Sequence, residues 1–271
     1  MLPMTDSALT RDGKIVILAM DHGLEHGPTD FEAVPETIDP ETIFEIATHD
    51  AVTGLAVGKG IAEAYYPSYE DDVTLLAKLN GASNLRMGEP YSPKNWSVER
   101  AVEIGADALG YTVYAGSNHE PKMFEEFRDV QEEARAHGLP VAMWSYPRGQ
   151  GVKNDTSPSV VAYAARIALE LGADVAKVKY PGDRASMEWA VRSAGPTRVV
   201  MSGGSKDDDE AFLRRVESVI EAGGAGLAVG RNVWQRDDPE QFLDAIERVV
   251  HDEAGVTEAM GERAVPLAED D

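Results

Sequence analysis

Eight short apolar runs recur along this chain, and their spacing limits the folds open to it. They lie at 14–23 (KIVILAMDHG), 52–60 (VTGLAVGKG), 73–81 (VTLLAKLNG), 108–116 (ALGYTVYAG), 139–149 (LPVAMWSYPRG), 173–182 (ADVAKVKYPG), 197–204 (TRVVMSGG) and 225–232 (AGLAVGRN). Most are rich in Val, Leu and Ile without polar alternation, as strands buried on both faces are. Helix-period segments lie between them, at 40–50, 95–106, 121–138, 157–173, 208–224 and 238–252. Asp207 and Asp238 stand where N-caps are expected, and Gly138 where a helix stops. Eight strands alternating with helices in a chain of 271 residues predict an α/β fold, a single (β/α)8 TIM barrel over 1–254. An open doubly wound sheet is the runner-up. Its dinucleotide-binding version is weakened because no G-x-G-x-x-G follows the first strand. Residues 89–96 (EPYSPKNW) read as a loop inserted after the third strand, and 255–271 as an acidic tail.

Charge narrows the partners. Acidic residues number 48 and Lys plus Arg 25, for a net charge of -23. That balance argues against nucleic acid or an anionic membrane surface as the main partner. No apolar run approaches the ~20 residues that span a bilayer, and the N-terminus lacks signal-peptide features. The expected location is cytoplasmic. The acid excess, spread along the whole chain, fits a cytosol of very high salt, where the Debye length shrinks to ~3 Å at 1 M. With 0 cysteines, disulfides, thiolate metal sites and cysteine nucleophiles are excluded.

In a barrel the chemistry collects at the C-terminal ends of the strands. Those ends carry Asp21 and His22, Lys59, Asn80, Tyr146 and Arg148, Lys177 and Lys179, Ser202 to Gly204, and Gly230 and Arg231. With Lys206, four of the scarce lysines gather there, so an anion, and first a phosphate, is the expected ligand. Strand residues two apart share a face. Lys177 and Lys179 therefore face the interior together if Val178 packs on the helices. A buried ammonium beside a like charge has a lowered pKa, and a neutral amine is what an imine-forming nucleophile needs. Strand logic leaves this role and simple phosphate binding equally open. Trp144 and Tyr146 also share a face, either as a pocket wall and a proton donor or as a core pair. Pro147 to Gly149 make a rigid turn that offers Arg148 to an anion. Glycines in SGGSK (202–206) and VGRN (229–232) let backbone N–H groups approach a phosphate. DHGLEHG (21–27) holds Asp21, His22, Glu25 and His26 as a possible ligand set. A metal would leave Lys177 without a role, and no later histidine ends a strand, so no metal is expected.

The stretches LAMDHGLEHGP, GKGIAEAYY, KLNGASNL, GEPYSP, WSYPRG, AKVKYPGD, MSGGSK and AVGRNVWQR run in order from 18 to 236. Together they resemble the archaeal-type class I fructose-bisphosphate aldolases, a family with a DhnA-like bacterial branch; the acid excess points to a halophilic archaeon. The resemblance implies a (β/α)8 barrel assembled as a homo-oligomer, commonly a decamer. It implies no cofactor and reversible cleavage of fructose 1,6-bisphosphate to dihydroxyacetone phosphate and glyceraldehyde 3-phosphate. It implies that Lys177 forms the imine, Tyr146 is the acid/base and Asp21 assists. It implies that Trp144 lines the site and that Arg148, Lys179, Ser202, Gly203, Gly204, Gly230 and Arg231 hold phosphates and hydroxyls. His22, His26 and Lys59 are further implied contacts.

The nearest alternative is the sister aminodideoxyheptulosonate synthases, which share DHG, YPRG, the lysine strand and the GG loop. More distant are a phosphate-binding barrel synthase without imine chemistry and a non-catalytic sugar-phosphate-binding protein.

Overall fold

A computed structural model describes residues 7–204 and 206–261. Its eight strands are β1 (Ile15–Ala19), β2 (Gly54–Val57), β3 (Leu75–Lys78), β4 (Ala108–Val113), β5 (Val141–Ser145), β6 (Val175–Val178), β7 (Arg198–Ser202) and β8 (Gly226–Val229). Each pairs in parallel with its sequence neighbours, and β8 returns to β1, closing the barrel in the order β1 to β8. One principal helix follows each strand. These are α1 (Pro40–Ala47), α2 (Lys59–Tyr65), α3 (Val98–Ile104), α4 (Glu120–Ala136), α5 (Pro158–Glu170), α6 (Arg184–Ala194), α7 (Asp209–Glu221) and α8 (Pro239–Val250).

All eight apolar runs are strands. Helices α2 and α6 were not legible as helical patterns. The seven-residue α2 buries only Ala62, and α6 buries Met187, Ala190 and Ala194, too little apolar surface for a clear 3.6-residue period. Asp238 caps α8 as expected, accepting from Gln241 N. At α7 the cap is Asp208, not Asp207, because the chain enters the helix one residue later; Asp207 pairs with Arg215 instead.

Side-chain parity divides the core in two. Ile15, Ile17, Ala56, Leu76, Ala108, Ala142, Trp144, Val175, Val200 and Ala228 fill the barrel, with Leu9 among them. Their strand neighbours, such as Val16, Leu18, Leu75, Ala176 and Val178, pack outward on the helices. The structure does not end at residue 254. Val256–Ala259 form a further short helix whose Val256 and Ala259 are buried, so the expected tail is in part packed structure. Its remainder, 262–271, lies outside the described residues. No helix among the described residues is long and apolar enough to cross a membrane.

Candidate active site

The barrel interior becomes polar toward the C-terminal ends of the strands, and Trp144 organises the change. Trp144 is paired with Lys177 across β5 and β6, and Lys78 with Gly110 across β3 and β4. The Lys177 Nζ lies 4.6 Å from the indole centroid and the Lys78 Nζ 5.6 Å from it. Gly110 makes this possible. A Cβ there would come within 2.5 Å of Leu76 Cδ2, 3.1 Å of Trp144 Cζ3 and 3.2 Å of Lys78 Cδ. Both lysines are buried.

Lys78 is held by Asn80. Its Nζ donates to the Asn80 carbonyl oxygen at 2.6 Å and to Oδ1 at 3.2 Å. Asn80 Oδ1 also accepts from Thr112 N, while its Nδ2 donates to the Ser92 and Thr112 carbonyls. Ser92 belongs to the loop read as an insertion at 89–96. That loop folds back beside β3, and its Trp96 Nε1 donates to the Lys78 carbonyl at 2.8 Å.

Two carboxyls face the lysines. Lys78 Nζ is 4.0 Å from Asp21 Oδ2 and 3.9 Å from Glu25 Oε1. Burial pushes the Asp21 carboxyl up, but Lys177, Lys78 and His22 outweigh it and hold it below the ordinary value. Glu25 is lifted above its ordinary value by burial and by Asp21, against the pull of Lys78, Lys177 and Arg148. Lys177 is lowered to about 8, chiefly by burial; Asp21 and Glu25 oppose the shift and Lys78 adds to it. A substantial amine fraction is thus available near neutral pH.

Tyr146 packs against the inner cluster beside Trp144. Burial, then the charges of Asp21 and Glu25, raise its phenol well above 10, so the phenol keeps its proton. The Arg148 guanidinium carbon lies 5.1 Å from the Tyr114 ring centroid and 5.6 Å from that of Tyr146. Arg148, Tyr114, Glu25, His26 and Arg86 line a cavity of about 270 Å³ at the barrel mouth.

Ser202 ends β7, and Gly203 and Gly204 follow it. Asn232 Nδ2 donates to the Gly203 carbonyl at 2.9 Å, joining this loop to the turn after β8. Gly204 takes φ +71, a left-handed conformation that glycine adopts without a Cβ penalty. Gly230 leads into the short helix Arg231–Trp234. A Cβ on it would lie 2.3 Å from His22 Cε1 and 2.6 Å from the Ala19 carbonyl oxygen. Arg231 Nη1 reaches Asp30 Oδ1 at 3.4 Å, and its Nε is buried without a hydrogen-bond partner. Ser205 lies outside the described residues.

Three lysines depart from the strand-end reading. Lys179 does not share the interior with Lys177. Strand β6 ends at Val178, the parity rule lapses there, and Lys179 Nζ pairs with Asp155 at 2.5 Å. The like charge beside Lys177 is Lys78. Lys206 Nζ donates outward to the Gln235 carbonyl. Lys59 is exposed at the start of α2, directly after β2.

His22 is half-buried; its Nδ1, shielded from solvent, lies 3.7 Å from Asp21 Oδ1 and has no hydrogen-bond partner. Burial lowers it to about 4, so the ring is neutral at pH 7. Its ring meets those of His26 and Trp234 edge-on. Potential ligand atoms of His22, His26 and Asp30 lie within 4.8 Å of one another. This set replaces Asp21 and Glu25 of the DHGLEHG reading by Asp30. His26 Nδ1 already bonds Asp30 Oδ2 at 2.6 Å and Arg231 shares that carboxylate, so a cation would displace both contacts.

Lys78 escaped the sequence reading, and Glu25 entered it only as a metal option. The signal for Lys78 was a single lysine inside the apolar run VTLLAKLNG, on the parity of Leu76.

A family model described as DeoC/LacD family aldolase matches residues 15–236. The "Fructose-bisphosphate aldolase class 1" of Halobacterium salinarum is 66% identical over 261 residues, covering 96% of this chain and 99% of that protein. The protein of the same description from Thermoproteus tenax is 52% identical over 242 residues, covering 89% and 91%. The structure of an archaeal fructose-1,6-bisphosphate aldolase, its catalytic lysine bound to the carbinolamine intermediate, superposes with a TM-score of 0.85 at 51% identity, covering 88% of this chain and 94% of that one. The chain belongs to the DeoC/LacD family of aldolases, among its class 1 fructose-bisphosphate aldolase members.

Proposed function

We propose that this chain is a Schiff-base fructose-bisphosphate aldolase in which Lys177 is the imine-forming residue. The observation that carries the reading is the Lys177 amine, buried on the Trp144 face and lowered to about 8. The amine attacks the C2 carbonyl of fructose 1,6-bisphosphate, and loss of water leaves an iminium. The cation accepts the electron pair of the breaking C3–C4 bond. Glyceraldehyde 3-phosphate departs, and the remaining enamine is protonated at carbon. We assign this donation to Tyr146, whose phenol retains its proton. Hydrolysis releases dihydroxyacetone phosphate, and condensation runs the same steps backwards.

Asp21 supplies negative charge that favours the iminium. Arg148 stands by the leaving half, while Ser202, Gly203, Gly204, Gly230 and Arg231 form the loops offered to the other phosphate. The 66% identity to the Halobacterium protein supports the bisphosphate aldolase over the sister synthase. We place the enzyme in the cytoplasm, in glycolysis and gluconeogenesis, with sugar phosphates as its partners. We expect it to assemble as a homo-oligomer; Tyr163 and Trp189, exposed on α5 and α6, support an intersubunit face there.

The test is borohydride reduction with dihydroxyacetone phosphate present, followed by peptide mass mapping and a substrate panel. An adduct on Lys177 and selective cleavage of fructose 1,6-bisphosphate are expected. Bound substrate without an adduct would reduce Lys177 to a phosphate ligand.

A further inference from the structure

Two of the cations that strand ends offer to a phosphate are engaged elsewhere. Lys179 pairs with Asp155, and Lys206 turns outward to the Gln235 carbonyl. Arg231 is left to supply positive charge where the loops after β7 and β8 meet. A guanidinium grips a phosphate well through its Nε–Nη2 edge, which sets two parallel donors on one side of the plane. The Nε of Arg231 is buried and has no hydrogen-bond partner among the described residues. Such a donor is costly to leave open and is satisfied when an anion takes it up.

That edge has to be aimed. An arginine has many rotamers, and fixing one costs entropy at each binding event unless the fold has fixed it beforehand. Asp30 reaches the far side of this guanidinium. Its Oδ1 accepts from Arg231 Nη1 at 3.4 Å, across 201 positions of sequence. Nη1 is not part of the Nε–Nη2 edge, so the contact leaves that edge open. The carboxylate is itself braced, because its Oδ2 bonds His26 Nδ1 at 2.6 Å. The backbone is braced as well. The Asp30 carbonyl accepts from Gln235 Nε2 at 2.6 Å, and the adjacent Phe31 stacks on Trp234 with ring centroids 5.0 Å apart. Gly27, at φ +78, turns the chain into the short 3-10 segment Pro28–Phe31 that carries Asp30. The 3.4 Å contact is long for a charged pair, so it directs the guanidinium while leaving its donors to a ligand.

We propose that Asp30 is a positioning residue that aims the Nε–Nη2 edge of Arg231 at the phosphate of the dihydroxyacetone half. This rests on Arg231 as a phosphate ligand of the Lys177 aldolase. Asp30 touches no reacting atom and acts through Arg231. Charge by itself gives the opposite sign, since a carboxylate beside a guanidinium cancels part of its pull on an anion. Positioning and neutralisation therefore predict opposite effects when the carboxylate charge is removed.

Glycerol 3-phosphate lacks the carbonyl of dihydroxyacetone phosphate and forms no imine, so its Kd reads the phosphate grip apart from Lys177. In Asp30→Asn, calorimetry should show that Kd raised at least ~10-fold, about the worth of one charge-assisted hydrogen bond. The KM for fructose 1,6-bisphosphate should rise with it, while kcat stays within about threefold of wild type. In an Arg231→Gln background, Asp30→Asn should add less than about twofold, because the group it acts through is gone. An unchanged or lower Kd in Asp30→Asn would overturn the assignment, and so would full additivity of the two substitutions. If Asp30→Asn does not fold, Asp30→Glu takes its place; the charge is kept but the longer arm moves Arg231, so a raised Kd is expected and an unchanged one counts against positioning. Wild-type enzyme that gives no Lys177 adduct on borohydride treatment would sink the imine reading instead, and the glycerol 3-phosphate measurement would still decide the role of Asp30.

Discussion

The Lys177 Nζ rests 4.6 Å from the centre of the Trp144 ring, on neighbouring strands whose backbones pair at these two residues. The ring excludes water on one side of the amine while its face still favours a cation, so the site tolerates the iminium after disfavouring the ammonium. Replacing Lys177 by Met should abolish cleavage, keep the fold, and remove the borohydride adduct. In wild type the rate of imine formation should climb with pH through about 8, as the amine fraction rises. Stopped-flow trapping across pH 6–10 measures this; a flat profile would remove the amine from rate control.

The same shift predicts a stability slope. An unfolded lysine titrates near 10.5 and folded Lys177 near 8, so between these values the unfolded state binds more protons. Stability contributed by this residue should therefore be lowest below about 8 and rise with pH across that window. The Lys177→Met protein should lack that component, which denaturant titrations at several pH values would read.

Tyr146→Phe should still form the imine with dihydroxyacetone phosphate but exchange its C3 proton at least ~100-fold more slowly. A normal exchange rate, followed by NMR, would take Tyr146 out of the proton-donor role.

Lys78 bridges Asp21 and Glu25 and depresses Lys177. In Lys78→Met, the acids act on Lys177 without that opposition. The midpoint of its imine profile should move above 8. Breaking a buried ion pair from one side also costs up to about 3–5 kcal/mol. A midpoint unchanged or shifted downward would contradict the electrostatic account.

Gly110→Ala should cost about 1–3 kcal/mol by overpacking, since its Cβ would press on Leu76 Cδ2 at 2.5 Å and on Trp144 and Lys78. Imine formation should slow with it. Gly58→Ala, whose Cβ would meet nothing within 4 Å, is the control. Equal melting temperatures and rates for the two variants would show that Gly110 does not space the lysines.

With a net charge of -23, the folded surface repels itself when salt is withdrawn. Melting temperature should fall by on the order of 10 °C between about 2 M and about 0.1 M KCl, because the Debye length lengthens from a few ångströms to ~10 Å. A salt-independent melting curve would argue against adaptation to a saline cytosol.

Much of this architecture is local and therefore legible in the chain. The doubly buried strands are continuous apolar runs, so all eight announced themselves. Parity within β5 and β6 put Trp144 and Lys177 inside the barrel. Parity failed at Lys179, where the strand stops and Asp155 from another loop captures the side chain. No local pattern tells where β6 ends, nor that Lys78 and Lys177, 99 positions apart, share one indole across Gly110. Closure of the barrel decided that, by bringing β1, β3, β5 and β6 to one mouth. It surrounded Lys177 with Asp21, Glu25 and Lys78, and so set the direction in which each group titrates. The sequence determined the strands, their inward faces and the chemical types available; only tertiary packing chose the neighbours, because burial and charge act through space.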